Sequence, residues 1–400
     1  MLTIKDIPIS GKRVLIRVDF NVPLDSQQRI LDDARINAVL PTIQYALSQS
    51  ARIILAAHLG RPKGQVRKEY SLGPVAKRLS QILEMEVDLA PDCIGEDVRS
   101  LTNHMQDGSV LLLENLRFHA EEQQNDPEFA RALAGLCDVY INDAFGVSHR
   151  ANASVEAVTS FAPTAAAGLL LKKELDFFAA AMQNPVRPLA AIVGGAKVSS
   201  KLAALNNMLQ HVDQIILGGA MANTFISAAG FSVGRSMFEA DLVPTAAALM
   251  NQARERHIQF YLPVDVVAAS QLDPQADLKK VPIQAIPSEW LAADIGPATA
   301  CLYSEVLQDT GTVIWNGPMG VFEMEPFSHG TFDLARAVAG SQAVSIVGGG
   351  ETGSAVSKAG VADHMTYIST GGGAFLTLME GKQLVAVAAL NRKSTPSNHS

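Results

Sequence analysis

No apolar run in this sequence reaches the roughly 18 residues that a membrane span requires. Its start, Met1-Leu2-Thr3-Ile4-Lys5, lacks the basic stretch and apolar core of a secretory signal, so a soluble, cytoplasmic protein is expected. Cysteine is scarce: Cys93, Cys137 and Cys301 lie far apart and form no C-x-x-C pair. That fits a reducing compartment, without disulfides or a structural zinc site. Two phosphate-binding signatures are also missing. There is no G-x-x-x-x-G-K-[ST] loop and no convincing G-x-G-x-x-G fingerprint, and the second absence argues against a nicotinamide-dependent dehydrogenase. No short repeat or low-complexity tract appears. With a net charge of −8, the chain is not a general binder of nucleic acid, and any anion site must be a local concentration of cations.

What the chain has is length and apolar content. Four hundred residues, 48% of them hydrophobic, suit two cores better than one. Short runs rich in Val, Ile and Leu recur at Val14–Val18, Ile53–Ala57, Val110–Leu113, Val139–Ile141, Leu189–Val193, Gln214–Leu217, Thr312–Trp315 and Ala343–Val347. Their shortness and continuity predict strands buried on both faces. Helical patterns lie between them, at Asp33–Ser48, Pro74–Leu83, Pro127–Leu136 and Lys201–Leu209. The alternation predicts parallel sheets with right-handed crossovers. Thr164–Met182 reads as a long helix that breaks at Asn184-Pro185, and its central position suits a bridge between two lobes. The polar segment Asn391–Ser400 is expected to fray.

In open α/β sheets, ligands sit beyond the carboxyl ends of the strands. In the first half those ends carry Asp19-Phe20-Asn21, His58-Leu59-Gly60-Arg61, Glu114 to Arg117, and Asn142-Asp143 followed by Ser148-His149-Arg150; Arg35 opens the helix after the first loop. Twelve of the 18 arginines fall within the first 150 residues. Guanidinium forks match carboxylate and phosphate oxygens, so arginines at four successive strand ends point to a small polyanion.

The second half turns to glycine. Strand ends lead into Gly194-Gly195-Ala196-Lys197, Gly218-Gly219, Asn316-Gly317-Pro318, Gly348-Gly349-Gly350-Glu351-Thr352 and Gly371-Gly372-Gly373. Glycine before a helix lets backbone N–H groups approach phosphate oxygens. Glu351 beside such a cradle suggests a bridging Mg2+ held mainly by nucleotide phosphates.

Nine collinear strings, RVDFNVP, HLGRPKG, ENLRFH, NDAFGVSHR, VGGAKVSSK, GGAMANTF, WNGPMGVFE, GGGET and STGGGA, closely resemble phosphoglycerate kinases over roughly residues 5–390. The resemblance implies two doubly wound parallel-sheet (Rossmann-like) α/β domains joined by a long interdomain helix and hinge. It places a 3-phosphoglycerate-binding domain at 1–165 plus about 375–400, the helix at 166–184 and a nucleotide-binding domain at 185–374. It further implies a cytosolic, usually monomeric glycolytic kinase that moves a phosphoryl group between 1,3-bisphosphoglycerate and Mg-ADP after domain closure.

By the same resemblance, substrate contacts fall on Asp19, Phe20, Asn21, Arg35, His58, Leu59, Gly60, Arg61, Arg117 and Arg150. Nucleotide contacts fall on Lys201, Gly218, Gly219, Asn316, Pro318, Glu323, Gly349, Gly350, Glu351 and Thr352, with Glu351 toward the metal. Arg35, Lys197, Gly371 and Gly372 take the catalytic positions. Two positions depart from the family pattern. Glu351 replaces the commoner Asp and reaches one methylene further, and Asn152 stands where some members carry a second histidine, at what is expected to be the rim of the anion site.

Overall fold

The computed structural model describes residues 1–394, and the chain divides into two compact units. The first comprises Met1–Leu175 and the chain from Gln383 onward; the second is Asp176–Lys382. Each is built on a six-stranded parallel sheet.

In the first unit the strands are β1 (Arg13–Arg17), β2 (Arg52–Ala56), β3 (Val87–Leu89), β4 (Val110–Leu112), β5 (Val139–Asn142) and β6 (Ala165–Ala167). They pair in the order β3-β4-β2-β1-β5-β6. Val14 registers with Ile53 on one side and Val139 on the other, and all three are buried. Two-faced burial explains the unbroken apolar runs, since each fully buried Val or Ile contributes about 1.5–3 kcal/mol.

In the second unit β7 (Leu189–Val193), β8 (Gln214–Leu217) and β9 (Gln259–Tyr261) are followed by a separate antiparallel sheet. That sheet is β10 (Asp265–Ala269), β11 (Leu278–Pro282) and β12 (Leu291–Ile295), with β10 in the middle. The chain then returns to the main sheet through β13 (Thr312–Asn316), β14 (Val344–Gly348) and β15 (Tyr367–Ile368), in the order β15-β14-β13-β7-β8-β9. Trp315 is fully buried in this core beside Tyr303, whose hydroxyl donates to the Leu217 carbonyl at 2.7 Å. In each sheet the order reverses at a central strand, β1 or β7, which is where α/β sheets open a crevice.

Three boundaries differ from the sequence reading. The central helix is Leu169–Gln183, because Ala165–Ala167 pairs in parallel with Tyr140–Asn142 as an edge strand. Alanine has high helix propensity, and tertiary pairing overrides it here. A Cβ on Gly168 would lie 2.2 Å from the Asp143 carboxyl carbon, and Asp143 accepts from the Leu171 N–H at 2.9 Å, capping the helix start. The chain returns to the first unit at Gln383 rather than about 375. The helix Gly372–Met379 stays in the second unit, where the Asn207 amide donates to the Met379 carbonyl at 2.8 Å.

Asn391–Ser394, expected to fray, instead completes the helix Val385–Ser394; residues 395–400 of that segment lie outside the described residues. That helix joins the first unit through Ala386, whose N–H donates to the Ser148 carbonyl at 3.0 Å, and through an Arg392–Glu156 ion pair of 3.0 Å.

Candidate functional site

The loop leaving β1 supplies the first group. Phe20 and Leu59 are buried in the first core and anchor two neighbouring loops. The Asn21 side-chain oxygen accepts from the Gly60 N–H at 2.8 Å and ties these loops together. Arg35, in the first turn of the helix Ala34–Ser48, donates from Nη1 to Asp19 at 3.1 Å and to the Asn21 carbonyl at 3.2 Å. Part of its guanidinium is therefore fixed, while 32% of the side chain remains exposed.

His58 lies at the centre of the cations. Its Nδ1 is 3.1 Å from Arg17 Nη2, and a guanidinium can only donate, so Nδ1 accepts and the ring proton sits on Nε2. Burial, then the charges of Arg17, Arg117, Arg35 and Arg150, push its pKa well below the ordinary 6.5. His58 is thus a neutral donor held among four arginines.

Arg117 is 4% exposed and follows the end of β4. Its Nη1 donates to the Gly60 carbonyl at 2.7 Å, while its buried Nε has no partner among the described residues. Burial, with Arg17 and Arg150 adding to it, pushes this guanidinium down to about 10. Arg150 is exposed, with its Nε 3.2 Å from His149 Nε2. Buried His149 Nδ1 likewise has no partner among the described residues. Arg61 is exposed and forms no ion pair among the described residues, so its place in the group is unlike that of Arg35, Arg117 and Arg150.

Sequence reading gave no role to Arg17, although it opens the first matched string. Its side chain is fully buried, donating from Nε to Ser154 Oγ at 2.8 Å and from Nη1 to the Val18 carbonyl, with Glu122 at 4.0 Å. Fully buried charge demands such partners. The only hint was a charged residue at the end of an otherwise apolar strand. Asn152 is corrected by the structure: it is 5% exposed and donates to buried Glu122 at 3.3 Å. It is part of the support beneath the arginines rather than a rim position.

The second unit arranges backbone instead. Gly194, Gly218 and Gly317, at the ends of β7, β8 and β13, pack loop against loop: a Cβ on Gly317 would lie 2.3 Å from the Gly194 carbonyl oxygen. Gly219 is as tightly enclosed, its Cβ position 2.5 Å from Gly195 N. Pro318 is buried there too. These glycines are required by mutual packing, whatever else they touch.

Beyond β14, Gly349 has φ +102°, a conformation that L side chains rarely adopt, and it caps the helix Gly350–Lys358. Gly371 caps the helix Gly372–Met379, and a Cβ on Gly372 would lie 3.0 Å from Gly349 Cα. Two helix N-termini therefore meet, and their first-turn N–H groups have no acceptor within their own helices. Such a meeting favours negative charge. Apart from its chain neighbours and its own helix backbone, no heavy atom lies within 4 Å of a Cβ built on Gly350.

Thr352 Oγ1 accepts from the Gly317 N–H at 2.8 Å and the Asn316 amide donates to the Gly348 carbonyl at 2.9 Å, locking β13 and β14 loops together. Lys201 Nζ donates to the Asn316 carbonyl at 2.9 Å and also to its side-chain oxygen. Burial pushes this ammonium down to about 8, against which Glu351 pulls it up. Glu351 is exposed in the first turn of its helix. Lys197 and Glu323 are also exposed. Lys197 rides the loop after β7, beside the segment where Ser199 donates from N and Oγ to Glu239 at 2.9 and 2.6 Å.

The phosphoglycerate kinase family profile matches residues 4–382. The phosphoglycerate kinase of Geobacter metallireducens is 57% identical over 382 residues, 96% of each chain. That of Desulfosudis oleivorans is 56% identical over 392 residues, 98% of this chain and 99% of its own. The solved phosphoglycerate kinase of Coxiella burnetii is 43% identical, superposes with a TM-score of 0.88 and is matched over 98% of this chain and 100% of its own. The Pyrococcus horikoshii structure gives 31% and 0.86, over 98% and 99%. On its sequence and on its fold, the chain belongs to the phosphoglycerate kinase family of phosphotransferases.

Proposed function

We propose that the protein catalyses reversible, Mg2+-dependent transfer of a phosphoryl group from 1,3-bisphosphoglycerate to ADP, giving 3-phosphoglycerate and ATP. The first unit takes the phosphoglycerate and the second the nucleotide. The carrying observation is the excess of guanidinium charge around His58, where Arg117 keeps a buried, unmatched Nε donor and is pushed down to about 10 mainly by burial. A cluster with that surplus is complementary to a phosphate and a carboxylate.

Asp19, Asn21, His58 Nε2, Arg35, Arg61, Arg117 and Arg150 are assigned to the phosphoglycerate, with the Phe20 and Leu59–Gly60 backbone framing it. Lys201, Asn316, Pro318, Glu323, Gly218, Gly219 and Gly349–Thr352 are assigned to the nucleotide.

The residues around Glu351 fit Mg2+ of one kind only. Among the described residues no group of three ligand side chains gathers there, so one carboxylate would join phosphate oxygens and water in the shell. Bound in that way, Mg2+ neutralises phosphate charge.

The chain's own groups do the rest. The attacking atom, a β-phosphate oxygen or a carboxylate oxygen, is already anionic, so no general base is required. The work is alignment and charge stabilisation of the in-line transfer. Arg35 from one unit, Lys197 from the other, and N–H groups of Gly371 and Gly372 are assigned to that charge. Each substrate is held by a different unit, so transfer follows their closure, which also keeps water from the acyl phosphate. The protein works as a cytoplasmic monomer in this reading. Among the described residues no helix is long and apolar enough to cross a membrane. A coupled assay of 3-phosphoglycerate-dependent ADP formation from ATP tests the assignment; no turnover by the folded protein would overturn it.

A further inference from the structure

A second group of reactive side chains lies apart from the strand-end arginines. Asp92 and Cys93 sit in the segment after β3, and His119 follows the helical turn Leu116–Phe118 after β4. Because β3 and β4 are paired neighbours, residues distant in sequence meet at this end of the sheet. One carboxylate oxygen, the Cys93 Sγ and one ring nitrogen of His119 all lie within 4.8 Å of one another. His119 Nε2 is 2.7 Å from Asp92 Oδ1. The Cys93 side chain is buried, while His119 and Asp92 are 25% and 44% exposed, so the group opens to water on one side.

We infer that Asp92, Cys93 and His119 form a binding site for a thiophilic divalent cation, Zn2+ in the first place. Thiolate, imidazole and carboxylate are the donors that tetrahedral Zn2+ takes, and three protein ligands with one open position leave room for water. Bonds of about 2.0–2.3 Å set tetrahedral ligand atoms about 3.3–3.8 Å apart. The donor atoms now lie within 4.8 Å of one another, so they must draw together by up to about 1.5 Å to reach that spacing.

The frame is firm. The Ala90 N–H donates to the Leu112 carbonyl at 2.8 Å, the Glu114 N–H to the Asp92 carbonyl at 3.3 Å, and the His119 ring lies 5.4 Å from that of Phe129. Charge also balances. On binding, the Cys93 thiol and His119 Nε2, whose proton now faces Asp92, release their protons to solvent, the His119 ring carries one on Nδ1, and the two anionic ligands neutralise the cation. Glu121 and Glu122 add negative field around His119 and Cys93.

Mg2+ prefers an octahedral oxygen shell and would not compete here. The alternative is a His–Asp ion pair covering an inert thiol.

Metal-stripped full-length protein, free of nucleotide, is titrated with Co2+ and followed by absorption. The expected result is a thiolate-to-cobalt charge-transfer band that saturates at one equivalent, is bleached by Zn2+ and is unmoved by excess Mg2+. Cys93→Ser should abolish the band, whereas Cys137→Ser and Cys301→Ser should keep it. His119→Gln should weaken Co2+ at least as much as the roughly 10-fold cost of losing an outer-shell partner. If Cys93→Ser fails to fold, as read by circular dichroism, His119→Gln and Asp92→Asn decide the matter. No thiolate band in the parent protein, a band surviving Cys93→Ser, or undiminished Co2+ affinity in His119→Gln would overturn the site.

Discussion

The candidate anion sites of the two units are built by opposite means. In the first, the candidate contacts are guanidiniums and one imidazole, each aimed by a hydrogen bond to a neighbouring loop, as Arg117 is by the Gly60 carbonyl and Arg35 by Asp19. In the second they are chiefly main-chain N–H groups at two helix N-termini brought together by Gly349 and Gly372. A side-chain site can lose one donor and keep its shape. A backbone site stands or falls with the conformation of its loop. Changes in the first unit should therefore separate into binding and turnover, while changes in the second should depend on whether a Cβ fits.

The sharpest break of this contrast is Arg35→Ala. Removing the charge assigned to the transferring group should lower kcat by on the order of 100-fold or more while the fold is retained. Near-normal kcat in steady-state assays would remove Arg35 from the chemistry.

Arg117→Ala comes next. Loss of a charged hydrogen-bonding partner costs about 1.5–3 kcal/mol, so KM for 3-phosphoglycerate should rise roughly 10- to 100-fold, with the nucleotide KM little changed. An unchanged KM for 3-phosphoglycerate would count against its role.

A paired substitution then examines the second unit. Gly349→Ala forces a side chain into φ +102°, a strain of about 1–3 kcal/mol, and should raise the nucleotide KM several-fold. Gly350→Ala places its Cβ where nothing beyond its own helix backbone and chain neighbours lies within 4 Å, and should be much milder. Equal effects of the two would mean that side-chain volume, rather than loop conformation, governs the cradle.

The smallest effect concerns pH. The folded pKa of His58 is depressed by burial and by four arginines, so below pH 6.5 the unfolded chain takes up the proton more readily than the folded one. Stability from keeping His58 neutral is present above 6.5 and is lost as pH falls toward the folded value. His119 is raised, chiefly by its bond to Asp92, and its contribution is lost above 6.5, outside that window. Denaturant melts between pH 5 and 6.5 should show a shallower slope for His58→Asn than for the parent. Identical slopes would show that His58 does not set this dependence.

Much of this was legible in the sequence where one residue type does one job. Val14–Val18 and Ile53–Ala57 announce two-faced strands, and the arginines beyond the strand ends announce the cluster of cations around His58. The edge strand Ala165–Ala167 was hidden because alanine reads as helix. The antiparallel sheet was hidden because β11 is mostly exposed and carries Lys279 and Lys280, with none of the continuous apolar character of the central strands.

At the site, the glycines were visible as a group, but their separate tasks were not. Gly194, Gly218, Gly219 and Gly317 are needed for loop-on-loop packing, which only three-dimensional proximity reveals. Arg17 was hidden for the same reason. Its partners Ser154, His58 and Glu122 come from three distant segments.

The division of labour is tested most directly by titrating 3-phosphoglycerate and ADP separately, by calorimetry, into Arg117→Ala and Gly349→Ala. The account predicts that Arg117→Ala weakens only 3-phosphoglycerate and Gly349→Ala weakens only ADP. Loss of ADP affinity in Arg117→Ala with 3-phosphoglycerate binding intact would contradict it.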